Sequence, residues 1–114
     1  MTRGRDATLA RPESAERLTA ELATRVMGWS VAPDRFLTGN RGWMPRWRFA
    51  PFVRLEDAFQ LLDRAATSYT LHGLDDGTFS VEVLVGTRVG KAVGERKATA
   101  ISLAIARALD LEHQ

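Results

Sequence analysis

The stretch Phe79–Val85, with the sequence FSVEVLV, decides the fold of this chain. Its odd-numbered positions hold Phe or Val, whereas its even-numbered positions hold Ser, Glu and Leu. This alternation has the period of two that is typical of a β-strand with one buried face. We therefore predict a central strand whose Phe/Val face lines the core.

A turn signal lies on each side of this strand. The tripeptide Asp75-Asp76-Gly77 is typical of a hairpin turn, and it joins the strand to the extended stretch Ser68–Leu74. On the other side, Gly86-Thr87 leads into a third extended stretch, Arg88–Val93. The sequence thus predicts a three-stranded antiparallel meander.

Three amphipathic helices are predicted around the meander. The first repeats apolar residues every four positions, and it runs from Ser14 as N-cap to Gly28, which ends it. The second runs from Arg54 to near Ala66 and has acidic residues in its first turn, where they favour the positive end of the helix dipole. The last runs from about Glu95 to Leu109, and its predicted buried stripe is Ile101, Ala104, Ile105, Ala108 and Leu109.

Residues 30–53, between the first two helices, form an irregular arm. Several prolines and glycines in this stretch exclude a long helix. We predict two short extended segments, Arg35–Thr38 and Met44–Phe49, paired around the turn Gly39–Gly42.

The composition is that of one small globular domain. The 114 residues are 45% hydrophobic and 26% charged, and the absence of cysteine excludes disulfides and thiolate metal sites. No apolar run approaches the ~18 residues of a membrane span, and the polar N-terminal residues do not form a secretory signal. We predict a flexible lead-in at residues 1–12, followed by a single soluble α+β domain at residues 13–114.

Three stretches resemble the small phage proteins that are grouped as the phage ABA sandwich domain family. They are the helix end Leu22–Trp29, which closes on Met-Gly-Trp; the arm Trp47–Pro51 with the helix start Leu55–Phe59; and the Ala-rich helix Lys97–Ala104. Together they span residues 18–110. The resemblance implies a phage or prophage protein with a three-layer α/β/α sandwich around a small antiparallel sheet, in the order helix, arm, helix, three strands, helix. It carries no established activity and no catalytic residues.

The arm interleaves arginine with aromatic residues. Residues 1–54 contain ten arginines and five acidic residues, a net charge of +5, whereas residues 55–114 have a net charge of −3. Arginine neutralises phosphates and aromatic rings stack on bases, so the arm is a candidate ligand site. The alternative is that Trp43, Trp47 and Phe49 pack in the core while the arginines face solvent. The candidate site residues are Arg35, Arg41, Trp43, Arg46, Trp47, Arg48 and Arg54.

Other patterns favour no specific chemistry. Residues 69–110 are similar in element order to the end of a double-stranded RNA-binding domain. In that arrangement Lys91, Arg96 and Lys97 would contact phosphates, but the acidic turn 75–77 disfavours RNA binding. The segment 86–92 lacks the Ser/Thr of a phosphate loop. His72 is the single candidate base in the folded region, so we predict no catalytic residues, no metal site and no cofactor.

Two functions follow as expectations. The first is a non-enzymatic phage or prophage accessory protein of the host cytoplasm that binds a protein partner through a sheet edge or a helix face. No membrane association is expected, and a homo-oligomer is one possibility. The alternative is binding of a nucleotide or nucleic acid by the arm 35–54, for example to sequester a host immune signalling nucleotide.

Overall fold

The computed structural model describes residues 12–39 and 42–111, and in these ranges three α-helices combine with two antiparallel sheets. The first half contains α1 (Pro12–Leu22), continued by a π-helical turn (Ala23–Met27), then β1 (Ser30–Val31), β2 (Arg35–Gly39), β3 (Gly42–Pro45) and a 3-10 turn (Arg46–Arg48). The second half contains α2 (Leu55–Ala65), β4 (Ser68–Gly73), β5 (Phe79–Val85), β6 (Arg88–Gly94) and α3 (Lys97–Ala108).

The predicted meander is confirmed, with β5 at the centre of the sheet β4-β5-β6. The alternation in β5 sets the register, because Val81 and Val83 point into the core and are each 1% exposed. Val83 pairs with Tyr69 on one side and with Gly90 on the other. The strands end within one residue of the predicted bounds.

The β4–β5 turn closes as its sequence predicts. The N–H of Leu74 donates to the carbonyl of Thr78 at 2.8 Å. The Asp76 carboxylate accepts the N–H of Thr78 at 3.1 Å and its hydroxyl at 2.6 Å. These hydrogen bonds lower the pKa of Asp76, and the bond from the Thr78 hydroxyl has the largest effect. Gly77 has φ +87°, a left-handed conformation that glycine adopts without strain.

Helix α3 is the centre of the molecule. It packs on β5 and β6 on one side and on α2 on the other. The predicted buried stripe is therefore confirmed at four of its positions, but burial extends around most of the helix and includes Ser102, which is 0% exposed. Leu109 is only partly buried. The prediction of one buried stripe assumes that the other side of the helix faces solvent, but little of the surface of α3 is exposed.

The approach of α3 to the sheet is set by Gly90. A Cβ atom at this position would lie 1.9 Å from the carbonyl oxygen of Ala104 and 2.5 Å from the backbone nitrogen of Ala108. Such distances are far inside van der Waals contact, so no side chain fits between β6 and α3 at this point. The absence of a side chain lets the helix backbone contact the strand directly.

The end of the first helix is confirmed, whereas its predicted start is wrong. Gly28 has φ +75°, and its N–H donates to the carbonyl of Ala23. The last turn widens to π geometry, which the periodicity does not reveal. The helix begins at Pro12, so Ser14 lies within it and is not the N-cap. Proline is favoured in the first helical turn because its missing N–H needs no partner there. The predicted lead-in lies almost wholly in residues 1–11, outside the described residues.

The predicted hairpin in the arm is confirmed and belongs to a second sheet, β1-β2-β3. Phe36 pairs with Met44, and Leu37 pairs with Trp43. The second strand ends at Pro45, earlier than predicted, and β1 is an additional strand whose two residues are too few for any alternation to show. The two tip residues 40 and 41 lie outside the described residues.

The α+β class with a small antiparallel sheet is confirmed. The predicted placement of helices on both faces of the sheet β4-β5-β6 is not confirmed. In the described core, the sheet β4-β5-β6 packs on one side of α3, and α2 packs on the other side. On the opposite face of the sheet, Thr70, Glu82 and Lys91 are exposed.

Replacement of Gly90 by alanine tests the close approach of α3 to β6. We expect Gly90→Ala to lower the free energy of unfolding by about 3 kcal/mol or more, because the new methyl group must displace the backbone of α3. The measurement is the urea midpoint followed by circular dichroism. Gly73→Ala is the matched control in the same sheet, since its Cβ would meet its nearest atom at 3.9 Å. Equal midpoints for the two variants would contradict the packing described above.

Candidate functional site

An aromatic cluster holds the arm against the rest of the molecule. The ring centroids of Trp29 and Phe49 are 5.0 Å apart, and Phe36 lies 5.8 Å from each of them. Phe36 is 0% exposed and Phe49 2% exposed, so these two rings belong to the core. Edge-to-face contacts of this kind stabilise beyond the area they bury. The cluster therefore fixes where the rest of the arm lies.

The two tryptophans of the arm are not core residues. Trp43 is 56% exposed and Trp47 is 72% exposed. The core-packing interpretation thus holds for Phe49 and fails for Trp43 and Trp47. Tryptophan is enriched at protein interfaces, so these two residues mark candidate contact surfaces.

Arg35 is engaged by its neighbours. Its guanidinium donates two hydrogen bonds of 3.1 Å to the carboxylate of Asp34, and its Cζ lies 4.7 Å from the centre of the Trp43 ring. This hydrogen-bonded pair lowers the pKa of Asp34 and raises that of Arg35. Arg35 and Trp43 form a cation–π stack whose charge is already balanced.

Arg46 has a structural role in the arm. Its Nη1 donates to the carbonyl of Ala32 at 2.9 Å, and its Cζ lies 5.1 Å from the centre of the Phe36 ring. Its backbone N–H donates to the carbonyl of Asp34 at 3.2 Å. These contacts fasten the 3-10 turn 46–48 to the loop before β2.

The remaining predicted arginines do not converge on one point. Arg54 contacts the carboxylate of Glu56 at 3.1 Å and that of Asp57 at 3.7 Å. Arg48 is exposed and has no hydrogen-bonding or ionic partner in ranges 12–39 and 42–111. Arg41 lies outside the described residues. The structure therefore divides the six described residues among β2, β3, the turn 46–48 and the start of α2.

A cleft of about 560 Å³ opens between α1 and the arm. Its floor is aromatic and is made by Phe36, Phe49 and Phe52. Its remaining lining residues are Ala15, Glu16, Thr19, Pro33, Asp34, Arg46, Trp47, Ala50 and Val53. Arg46 and Trp47 are the predicted site residues that line this cleft. Sequence reasoning misses the contribution of α1, because nothing in the helix pattern marks Glu16 or Thr19 as facing the arm.

The segment 49–53, which supplies much of the cleft, is held by three side chains. The carboxylate of Asp57 accepts the N–H of Ala50 at 2.9 Å. From α3, Ser102 donates its hydroxyl to the carbonyl of Pro51 at 2.6 Å, and Thr99 donates to that of Phe52 at 2.7 Å. An irregular segment lacks ladder partners, and these bonds satisfy its backbone groups. Asp57, one of the acidic residues predicted to favour the helix dipole of α2, thus also clamps this segment by its hydrogen bond to Ala50.

The described ranges contain no group of three His, Asp or Glu side chains placed to hold a metal ion. In the same ranges, no helix is long and apolar enough to cross a membrane. His72 is exposed on β4, away from the cleft.

The fold is similar to that of a phage protein from Bacillus cereus ATCC 14579, known from a 2.0 Å crystal structure. The TM-score is 0.70 at 18% sequence identity, and the similarity covers 100% of this chain and 98% of that chain. At this identity the likeness is one of fold. No protein-family model matches the sequence, so the resemblance to the ABA sandwich family is not confirmed. No curated protein matches it either.

Replacement of Asp57 tests the clamp on segment 49–53. We expect Asp57→Ala to lower the free energy of unfolding by about 1–3 kcal/mol, because the N–H of Ala50 loses its partner in a partly buried position. Asp57→Asn is the control, since its amide oxygen still accepts that N–H while the charge near Arg54 is removed. The readout is the urea midpoint of both variants. If both variants lost the same stability, the charge and not the hydrogen bond would be the main contribution.

Proposed function

We propose that this chain is a phage or prophage accessory protein that acts without catalysis, by binding a protein partner in the host cytoplasm. The phage setting is supported by the phage protein from Bacillus cereus, whose fold this chain shares along its whole length. The surface proposed to bind is the cleft between α1 and the arm, together with Trp47 at its rim.

The observation that carries this proposal is the position of Trp47. Trp47 is 72% exposed and lines a cleft with a phenylalanine floor, which is also lined by Val53, a residue that is 64% exposed. Exposed tryptophan beside a pocket is the composition found at the energetic centres of protein interfaces. A partner side chain that enters the cleft would bury the Trp47 ring at the same time.

Trp47 is presented on a fixed backbone. The 3-10 turn that carries it is bonded to the loop 32–34 through the side chain and backbone of Arg46. The next residues, Phe49 and Phe52, are anchored in the core. A surface that is ordered before binding loses less conformational entropy when the partner docks.

The charges around the cleft favour a protein over a phosphate ligand. Glu16 lines the cleft and its carboxylate repels phosphate, whereas the carboxylate of Asp34, which also lines the cleft, is paired with Arg35. Among the described residues Arg46 is the single arginine that lines the cleft, and it already donates to the carbonyl of Ala32. Arg35 and Arg54 are paired with acidic residues.

A nucleotide or nucleic acid, such as a host immune signalling nucleotide, is the second candidate ligand. The observation that favours it is the pair of exposed tryptophans, since Trp43 stacks with Arg35, and Trp47 is next to Arg48, which has no ionic partner in the part of the chain that the structure describes. Aromatic rings and cations in this combination stack on bases. Because Trp47 lines the cleft and Trp43 does not, this site would extend from the rim of the cleft along the arm.

Alanine variants of the two exposed tryptophans test the proposal. Tagged protein is used to isolate a partner from phage-infected cells, and that partner is then purified and titrated against each variant. We expect Trp47→Ala to weaken binding about 30-fold, the effect of losing about 2 kcal/mol at an interface hot spot. Trp43→Ala is the matched control, an exposed tryptophan outside the cleft, and should change the affinity little.

The same preparations distinguish the two candidate functions. A raised ratio of absorbance at 260 and 280 nm, with a nucleotide identified by mass spectrometry after heating, would favour the second candidate. In that case both tryptophan variants should lose the ligand. Equal partner binding by wild type and Trp47→Ala would overturn the assignment of the cleft.

A further inference from the structure

Strand β4 is an edge strand without the usual protection. Its sequence, SYTLHG, contains no charged residue and no proline, and it pairs with β5 without a bulge. Helix α3 packs on β5 and β6, so β4 projects beyond the helix and Tyr69 is 48% exposed. Natural proteins block such edges with lysine, proline, bulges or covering segments. Among residues 12–39 and 42–111 the β4 edge has none of these four protections, and it is therefore available for pairing with another strand.

The hydrogen bonds of the β4–β5 turn identify the backbone groups that face outward. Because the N–H of Leu74 bonds to the carbonyl of Thr78, these residues form a hydrogen-bonded pair. Hydrogen-bonded and non-hydrogen-bonded pairs alternate along an antiparallel ladder. In the observed register, the N–H and C=O groups of Tyr69, Leu71 and Gly73 therefore point away from β5.

The opposite edge of the same sheet is protected. Arg107 reaches from α3 and donates its Nη1 to the carbonyl of Lys91 on β6 at 2.9 Å. That strand also carries the exposed basic side chains of Arg88 and Lys91. The contrast between the two edges singles out β4.

We propose that β4 is a self-association surface, on which β4 of a second copy of this chain pairs antiparallel about a two-fold axis at Leu71. In this register all three outward-facing residues of each strand pair, with Leu71 opposite the second copy's Leu71 and Tyr69 opposite the second copy's Gly73. The two sheets would then form one continuous six-stranded sheet.

The side chains of β4 are self-complementary in this arrangement. The ring of Tyr69 would lie over a glycine, a cross-strand pair in which the aromatic side chain covers the missing one. Leu71, which is only partly buried in one copy, would meet its symmetry mate. Thr70 and His72, both exposed on the opposite face, would lie opposite each other across the interface. The absence of charge on the strand means that two identical edges do not repel.

Self-association through β4 is independent of the cleft proposed to bind a protein partner. A two-fold contact uses the same patch on both copies, which explains why no second surface is needed. Because a six-residue strand pair buries a small area, we expect a concentration-dependent dimer and not an obligate one.

Light scattering during size-exclusion chromatography tests the proposal over a wide range of protein concentration. We expect the mass of the wild type to rise from 12.6 kDa, the mass of one chain, toward twice that value. The variant Thr70→Lys/His72→Lys places lysine opposite lysine at two points and should weaken association about tenfold or more. The variant Thr70→Lys/His72→Glu places opposite charges at the same points and should restore or strengthen it.

Val89→Lys is the matched control. It adds a lysine beside Lys91 on the exposed face of β6, so it changes the charge of the sheet without touching β4, and it should leave the dimer unchanged. In the wild type, amide exchange of Tyr69, Leu71 and Gly73 should slow as the concentration rises.

Two results would overturn the proposal. One is a mass of 12.6 kDa at every concentration. The other is a dimer that tolerates the double lysine variant as well as the double variant of opposite charge, since that dimer would use another surface or register.

Discussion

The direct contact between the backbones of α3 and β6 at Gly90 is the constraint on which the rest of the structure depends. With no side chain at that position, the helix lies close enough to the sheet for its small residues to be buried against β5 and β6. Its other side then receives α2. The hydrophobic effect supplies the attraction, but the spacing of the layers is set by a single missing methyl group.

The candidate site is an extension of this packed centre. Ser102 and Thr99 lie on α3 and donate hydrogen bonds to the carbonyls of Pro51 and Phe52. The helix that packs on the sheet therefore also positions the arm. The aromatic cluster around Phe36 and Phe49 completes the attachment. Trp47 lies between two anchored residues, Arg46 and Phe49, so its backbone is held in place although its side chain is exposed.

Some features could be predicted from the sequence because they depend on local periodicity. The alternation in β5 and the turn residues 75–77 and 86–87 are sufficient to predict the meander. The four-residue spacing and Gly28 are sufficient to predict the end of the first helix. The burial of α3 on nearly all sides depends on what packs against it, and no pattern within residues 97–108 reports that. The same limit applies to the arm. Whether an arginine meets a ligand or Asp34, and whether Trp47 is core or surface, is decided by tertiary contacts.

The position of α3 in the chain has a consequence for biosynthesis. Helix α3, which fills the centre of the domain, leaves the ribosome after the strands and the helix that pack on it. Until residues 97–108 have emerged, the meander has an uncovered apolar face and the arm has no hydroxyl groups to hold it. The packing around α3 therefore cannot form before this helix has emerged, and a nascent chain that stalls earlier presents unprotected strands to chaperones and proteases.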